Sequence, residues 1–319
     1  MDHILLTGGT GFFGLALLRH VAALGAAAPR LTILSRNPAR FAAQYPQLSA
    51  KAHWLQGDIL LAQELPRDQR FSHVLHAAAD STLGPQLSPL QRYDQIVNGT
   101  RNVLDYALAC GARRFLLTSS GGAYGSFPTG MSAVPESFHG MPNPLDPRQA
   151  YGVAKRAAEH LCALYCQSSD LDVVVARCFA FVGPDLPLNA HFAIGNFIRD
   201  AVYGEKIVVS GDGSPLRSYL HQADLARWLM LLLQKGEVGT AYNVGSDEAI
   251  SIADLAYLVR DTVAPEKAVE ILGCSNGGQG QRNIYVPDVQ KIKTTLGAKV
   301  TLSLGEAIAL TVQAERGCA

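Results

Sequence analysis

A doubly wound α/β sheet is the fold this sequence predicts, and three observations predict it. Short apolar runs alternate with longer helical stretches through the N-terminal half. A glycine-rich turn separates the first run from the first helix. A tyrosine and a lysine four residues apart, Tyr151 and Lys155, open a later helix. Parallel strands covered on both faces read as continuous apolar runs, and the helices that cross between them cover those faces.

In chain order the strands are Ile4 to Thr7, Leu31 to Ser35, His53 to Gln56, His73 to His76, Phe115 to Ser119 and Val173 to Arg177. Gly14 to Leu24, Arg92 to Cys110 and Tyr151 to Ser168 read as helices between them. Strand, helix and strand in alternation give a parallel sheet with helices on both faces. After about Gly183 the regularity ends. Pro184, Pro187 and the segment through Asn196 read as a loop leading to a smaller domain, with helices near Asp224 to Leu233, Ser251 to Thr262 and Leu304 to Glu315. The expected division is residues 1–183 for the sheet domain, with return segments from about 217–245, and 184–319 mainly for the smaller one. Gly273 to Gly280 reads as a loop placed to close over a ligand.

With 319 residues, 48% apolar and 17% charged, the chain has material for a large core. Lys plus Arg equals Asp plus Glu at 27 each, which speaks against nucleic acid or an anionic membrane as a partner. The six cysteines are scattered and lack paired zinc-type spacing, so no metal is expected. The chain enters a strand directly after Met1-Asp2, which leaves no room for a targeting segment, and no apolar run is long enough for a bilayer; the expected location is the cytoplasm.

Thr7-Gly8-Gly9-Thr10-Gly11-Phe12-Phe13-Gly14 sits where the first strand turns into the first helix. In that context Gly8, Gly11 and Gly14 let the backbone approach a diphosphate, whose charge the helix N-terminus holds. Gly8, Gly11, Phe12, Phe13 and Gly14 are therefore the expected dinucleotide contacts of a Rossmann fold. The end of the second strand separates NAD from NADP, because an acid there bonds the ribose 2′-hydroxyl and a base receives a 2′-phosphate. Here it is Ser35-Arg36, with Arg40 nearby and no acid. NADP is the expected cofactor, with NAD as the alternative, since Arg36 and Arg40 also read as solvated surface charges. Asp58 and Ile59 follow the third strand, where Asp58 is placed to reach the adenine edge. Ala77 and Ala78 follow the fourth and let the backbone line the cofactor, while His76 reads as a satisfied strand-end histidine without a catalytic role.

Residues four apart share a helix face, so the Lys155 ammonium is expected beside the Tyr151 phenol, favouring its ionised form for proton transfer. Ser120, in the serine-rich turn after the fifth strand, lies on the same rim, where its hydroxyl can bond a substrate oxygen.

With the glycine loop, the serine turn and the Tyr-Lys pair in this order, the chain resembles the extended short-chain dehydrogenase/reductase family, specifically its nucleotide-sugar epimerases, dehydratases and reductases. The resemblance extends through Gly183-Pro184, Gly211-Asp212-Gly213, Arg217 to His221, Asp224-Leu225-Ala226, Tyr242 to Gly245 and Pro287-Asp288. It implies a homodimer formed through the helices that begin near Arg92 and Tyr151, and a nucleoside diphosphate sugar as substrate. It further implies Tyr151 as general acid/base, Lys155 on the nicotinamide ribose and Ser120 orienting the reacting oxygen. Arg217 would grip the diphosphate, with Arg282 assisting, unless Arg217 is a surface ion-pair partner.

The departures bear on the reaction. The family's 4,6-dehydratases carry an Asp-Glu pair after the catalytic hydroxyl; here Gly121-Gly122 follow Ser120, which disfavours that elimination. Family asparagines are replaced by Ile96 and Ala180, and Asn98 and Asn196 are nearby polar candidates; Asn196 is the expected substrate contact. Reduction of a 4-keto nucleotide sugar is the first reading and C4 epimerisation with recycled NAD the second. A non-catalytic dinucleotide sensor comes third, and the intact Ser120, Tyr151 and Lys155 argue against it.

Overall fold

The structure is a computed structural model that describes residues 2–61, 65–79, 87–128, 130–273 and 283–317. It divides into two compact units: Met1–Ser126, Glu136–Cys178 and Ala226–Asn243 form the first, and Phe127–Pro135, Phe179–Leu225 and Val244–Ala319 the second.

The first unit begins β1 His3–Thr7, α1 Phe12–Ala23, β2 Arg30–Ser35, α2 Pro38–Gln44, α3 Pro46–Ser49, β3 His53–Gln56 and β4 His73–His76. It continues with α4 Pro89–Ala109, β5 Arg114–Ser120, α5 Ala150–Ser168 and β6 Asp172–Cys178. The second unit holds β7 Phe181–Val182, α6 Ala193–Tyr203, β8 Lys206–Val209, β9 Leu216–Arg217 and β10 Leu220–His221. From there α7 Gln222–Lys235 and β11 Ala241–Val244 carry the chain into the first unit and out again. The remaining elements, β12 Ile250–Ser251, α8 Ile252–Val263, β13 Ala268–Ile271, β14 Ile284–Tyr285, α9 Gln290–Leu296 and α10 Leu304–Gly317, belong to the second unit.

The central sheet has seven strands in the order β11-β6-β5-β4-β1-β2-β3. Every register from β3 across to β6 is parallel, so these strands deliver their carboxyl ends to one rim. The predicted doubly wound Rossmann sheet is thus present. Its order reverses beside β1, and a crevice opens at the carboxyl ends of such a switch point. Leu5, Ile33, Val74 and Leu116 are fully buried at its centre, and each such side chain contributes roughly 1.5–3 kcal/mol of transfer free energy.

Two features differ from expectation. Residues 127–135, expected within the sheet domain, fall in the second unit, and the chain leaves the first unit after Cys178. Asn196, expected in a loop, is inside helix α6, because apolar Ile194, Phe197, Ile198 and Ala201 recur at helical spacing and are all buried.

Candidate functional site

Every part of the rim just described belongs to the first unit. At its centre is the turn between β1 and α1. Gly8 adopts a left-handed φ of +75°, and a Cβ there would stand 2.5 Å from the Ala77 carbonyl oxygen. Gly14 presses as closely, since its Cβ would lie 2.2 Å from the Gly9 backbone. Gly11 is different: a Cβ on it would meet only the Gly8 carbonyl oxygen, at 3.8 Å. Its missing side chain therefore leaves a cradle open at the start of α1, whose N-cap is Gly11 with no side-chain cap. The first-turn N–H groups of a helix have no acceptor within the helix, which suits a diphosphate. The residues present fit a dinucleotide.

At the end of β2, Ser35 Oγ accepts from the Asn37 N–H at 3.3 Å, and Asn37 Oδ1 caps α2 by accepting from the Arg40 N–H at 3.0 Å. Arg36 and Arg40 are exposed, and residues 35–44 contain no Asp or Glu. After β3, Asp58 Oδ1 accepts from the Leu60 N–H at 2.9 Å, shaping the turn. Asn102 on α4 donates to the Ile59 carbonyl oxygen at 2.8 Å, a contact the sequence reading missed. Its signal was available in the Gly99–Asn102 spacing. A Cβ on Gly99 would come within 2.6 Å of Ile59 Cδ1, so the two residues present one helix face to this turn.

His76 is buried, with Nδ1 2.7 Å from Thr7 Oγ1 and Nε2 3.2 Å from Thr100 Oγ1. Burial, with some help from the Lys155 charge, pushes its pKa down to about 3, so it stays neutral. It ties β4 to β1 and α4, and Thr7 Oγ1 also accepts from the Ala78 N–H at 3.3 Å. That is the satisfied strand-end histidine the sequence suggested.

The structure brings Ser120, Tyr151 and Lys155 together at the ends of β5 and α5. Ser120 closes β5, its Oγ accepts from the Gly122 N–H at 3.1 Å, and its hydroxyl hydrogen-bonds the Tyr151 phenol. A Cβ on Gly122 would lie 3.4 Å from Ser120 Oγ and 3.6 Å from the Tyr151 ring, so residue 122 borders both groups. Lys155 is buried and donates to the Thr118 carbonyl oxygen at 2.8 Å.

One expectation needs correction here. Tyr151 is not lowered by Lys155: burial raises its pKa above the ordinary value, and the offsetting influences are the Ser120 hydrogen bond and the Arg92 charge. Lys155 Nζ lies 5.9 Å from the ring centroid. Burial holds the lysine's own pKa down to about 8.

One turn beyond Lys155, Glu159 forms a clamp that the sequence reading also missed. Its carboxylate accepts from Ser119 Oγ at 2.5 Å on β5, and from Arg177 Nε at 3.0 Å and Nη2 at 2.7 Å on β6. No local motif announces this triad, because its members come from three separate elements.

Arg217 and Asn196 lie in the second unit. Arg217 Nη1 donates to the Leu216 carbonyl oxygen at 2.8 Å and to Asn283 Oδ1 at 3.2 Å. Asn196 Oδ1 accepts from Arg199 Nη1 at 3.2 Å. Arg282, and residues 274–280 of the predicted closing loop, lie outside the described residues. Among the described residues no cluster suited to a metal ion occurs, and no helix is long and apolar enough to cross a membrane.

The model of the NAD dependent epimerase/dehydratase family matches residues 4–245. The chain belongs to that family. Over 228 residues it is 32% identical to UDP-glucuronic acid decarboxylase 2 of Arabidopsis thaliana, covering 72% of this chain and 50% of that protein. It is 30% identical over 226 residues to UDP-glucuronic acid decarboxylase 1 of Danio rerio, covering 71% and 52% respectively. The match thus spans about half the length of these relatives. Among solved structures, a dTDP-glucose 4,6-dehydratase from Streptomyces venezuelae with NAD bound aligns with a TM-score of 0.81 at 26% identity, covering 99% of this chain and 97% of that one. A UDP-glucose 4-epimerase with UDP-glucose from Thermotoga maritima aligns with a TM-score of 0.82 over 99% of both chains. At 24% identity that likeness concerns the fold alone. The chain is thus a member of the extended short-chain dehydrogenase/reductase enzymes, in the NAD-dependent branch that includes nucleotide-sugar epimerases, dehydratases and decarboxylases.

Proposed function

We propose that this protein reduces a 4-keto nucleoside diphosphate sugar with NADPH. The observation that carries the reading is the neighbourhood of Gly122. It borders both Ser120 and Tyr151 and brings no carboxylate to them, which leaves groups for orienting an oxygen and moving a proton and none at that place for elimination. The strand end Ser35-Arg36, free of acid, supports NADP over NAD.

In this reading the bound cofactor supplies the hydride. The chain's residues do the rest. Gly8, Gly11, Phe12, Phe13 and Gly14 hold the diphosphate; Ala77, Ala78, Asp58 and Ile59 line the remainder of the dinucleotide. Ser120 Oγ orients the substrate oxygen, and the Tyr151 phenol delivers the proton that oxygen needs when hydride reaches the adjoining carbon. Lys155 holds the ribose. Arg217, Asn196 and Arg282 are the proposed substrate contacts, and α4 with α5 the proposed homodimer face.

Tyr151→Phe is expected to bind NADPH as the parent protein does and to lose at least a hundredfold of the 4-keto-sugar-dependent oxidation of NADPH. Unchanged turnover would sink the proposal. The second reading, a 4-epimerase that recycles NAD, is favoured by the exposure of Arg36. Retained NAD and interconversion of sugar epimers without net cofactor oxidation would select it.

A further inference from the structure

Arg92 has no role in the function proposed above, yet the local sequence fixes it beside Tyr151. Ser88-Pro89-Leu90-Gln91 makes a capping box. Ser88 Oγ accepts from the Gln91 N–H at 3.2 Å, Gln91 Oε1 accepts from the Ser88 N–H at 3.0 Å, and a proline stands at the start of the helix. The Arg92 N–H then donates to the Ser88 carbonyl oxygen at 3.0 Å. From that anchored first turn of α4 the guanidinium carbon reaches a point 4.5 Å from the Tyr151 ring centroid, well inside cation–π range. Its Nε is buried and has no hydrogen-bond acceptor among the described residues. Burying an unpaired donor of a cation opposes folding, and what the described residues offer this guanidinium is the face of the Tyr151 ring.

We propose that Arg92 is a positioning residue for Tyr151: its planar cation holds the phenol ring at the start of α5 and stabilises the phenolate that proton transfer creates. This rests on Tyr151 being the proton-transfer group. Among the described residues, the groups that act on Tyr151 come from four elements. Ser120, from β5, hydrogen-bonds the phenol. Cys178, at the end of β6, disfavours its ionisation, and so does burial; Arg92, from α4, favours it. Lys155, on the same helix, donates to the Thr118 carbonyl oxygen. Arginine suits this place better than lysine would, because a flat, weakly hydrated guanidinium can lie on an aromatic face.

The test needs no substrate. Protein carrying carbon-13 at the tyrosine ζ position is titrated by NMR, with the Tyr151 resonance assigned by its loss in Tyr151→Phe. Arg92→Met is expected to raise the Tyr151 midpoint by at least about half a unit, and Arg92→Lys to return most of that rise. Arg92→Gln, which keeps the length and drops the charge, serves the same purpose should the methionine variant fail to fold. A shift smaller than about half a unit in both neutral variants overturns the proposal. So does an Arg92→Lys shift as large as theirs, or a wild-type Tyr151 still protonated at the alkaline limit of folding. Failure of the reductase reading would show instead as full turnover in Tyr151→Phe, with this titration unaffected.

Discussion

Glu159→Ala should destabilise the first unit strongly, because it strands a buried cation. In the native structure Glu159 and Arg177 meet at 2.7 Å with each side chain only 9% exposed. The carboxylate also receives Ser119 Oγ at 2.5 Å and Arg177 Nε at 3.0 Å. Removing one partner of a buried pair costs about 3–5 kcal/mol, since the other charge stays desolvated. At about 2–3 °C per kcal/mol for a chain of this size, the thermal midpoint should fall by roughly 6–15 °C. Differential scanning fluorimetry reads this directly. The double variant Glu159→Ala with Arg177→Met removes both charges and should recover at least half of the loss. The recovery will be incomplete, because Arg177 also lies 4.5 Å over the Tyr124 ring. A Glu159→Ala midpoint within about 2 °C of wild type, or a double variant no better than the single, would refute the reasoning.

The glycine loop and the buried lysine give sharper local tests. Gly8→Ala forces a side chain into φ +75° and to within 2.5 Å of the Ala77 carbonyl oxygen, so it should weaken dinucleotide binding at least tenfold and lower the thermal midpoint. Gly11→Ala should leave that midpoint alone, because its Cβ would meet only an oxygen at 3.8 Å, while still filling the cradle; calorimetric titration with NADPH showing unimpaired binding would remove Gly11 from the cofactor site. Lys155 has its pKa held down to about 8, chiefly by burial, against an ordinary 10.5. Between those values the unfolded chain binds more protons, so this site's contribution to stability rises with pH. Urea midpoints of wild type minus Lys155→Met should therefore increase from about pH 8 to about pH 10, and a flat or falling difference contradicts the burial argument.

What was legible in the sequence was what local pattern encodes. Continuous apolar runs such as Ile4 to Thr7 and Phe115 to Ser119 gave strands β1 and β5, because a parallel strand is covered on both faces. The four-residue spacing put Tyr151 and Lys155 on one face of α5, and the serine run, which the structure places at the end of β5 rather than in the turn after it, put Ser120 against Tyr151. What stayed hidden depends on packing between distant segments. Glu159 meets Arg177 and Ser119 only because α5, β5 and β6 are layered together. Asn196 sits in a helix that two nearby prolines masked, although its apolar neighbours carried the helical period. Residues 127–135 joined the second unit through Val134, whose N–H donates to the Val286 carbonyl oxygen at 3.0 Å, a pairing no local pattern announces.

The same distinction explains why the expected Lys155 effect on Tyr151 gave way to another cation. Spacing on a helix fixes which side chains are neighbours, but the field at a phenol depends on which charges remain uncompensated near it. Arg177 is matched by Glu159 at 2.7 Å, so that pair adds little net field and acts as a clamp from α5 to β6. Lys155 directs its ammonium to the Thr118 carbonyl oxygen, with Nζ 5.9 Å from the Tyr151 centroid. Arg92 stands closer, at 4.5 Å, and its Nε has no acceptor among the described residues. A balanced change should therefore leave the phenol alone: Glu159→Gln with Arg177→Met, which removes both charges, is expected to keep the Tyr151 midpoint within about half a unit of wild type, while Arg92→Met moves it further. If the balanced pair shifts Tyr151 as far as the loss of Arg92 does, the phenol responds to helix placement rather than to charge, and the electrostatic account of this site fails.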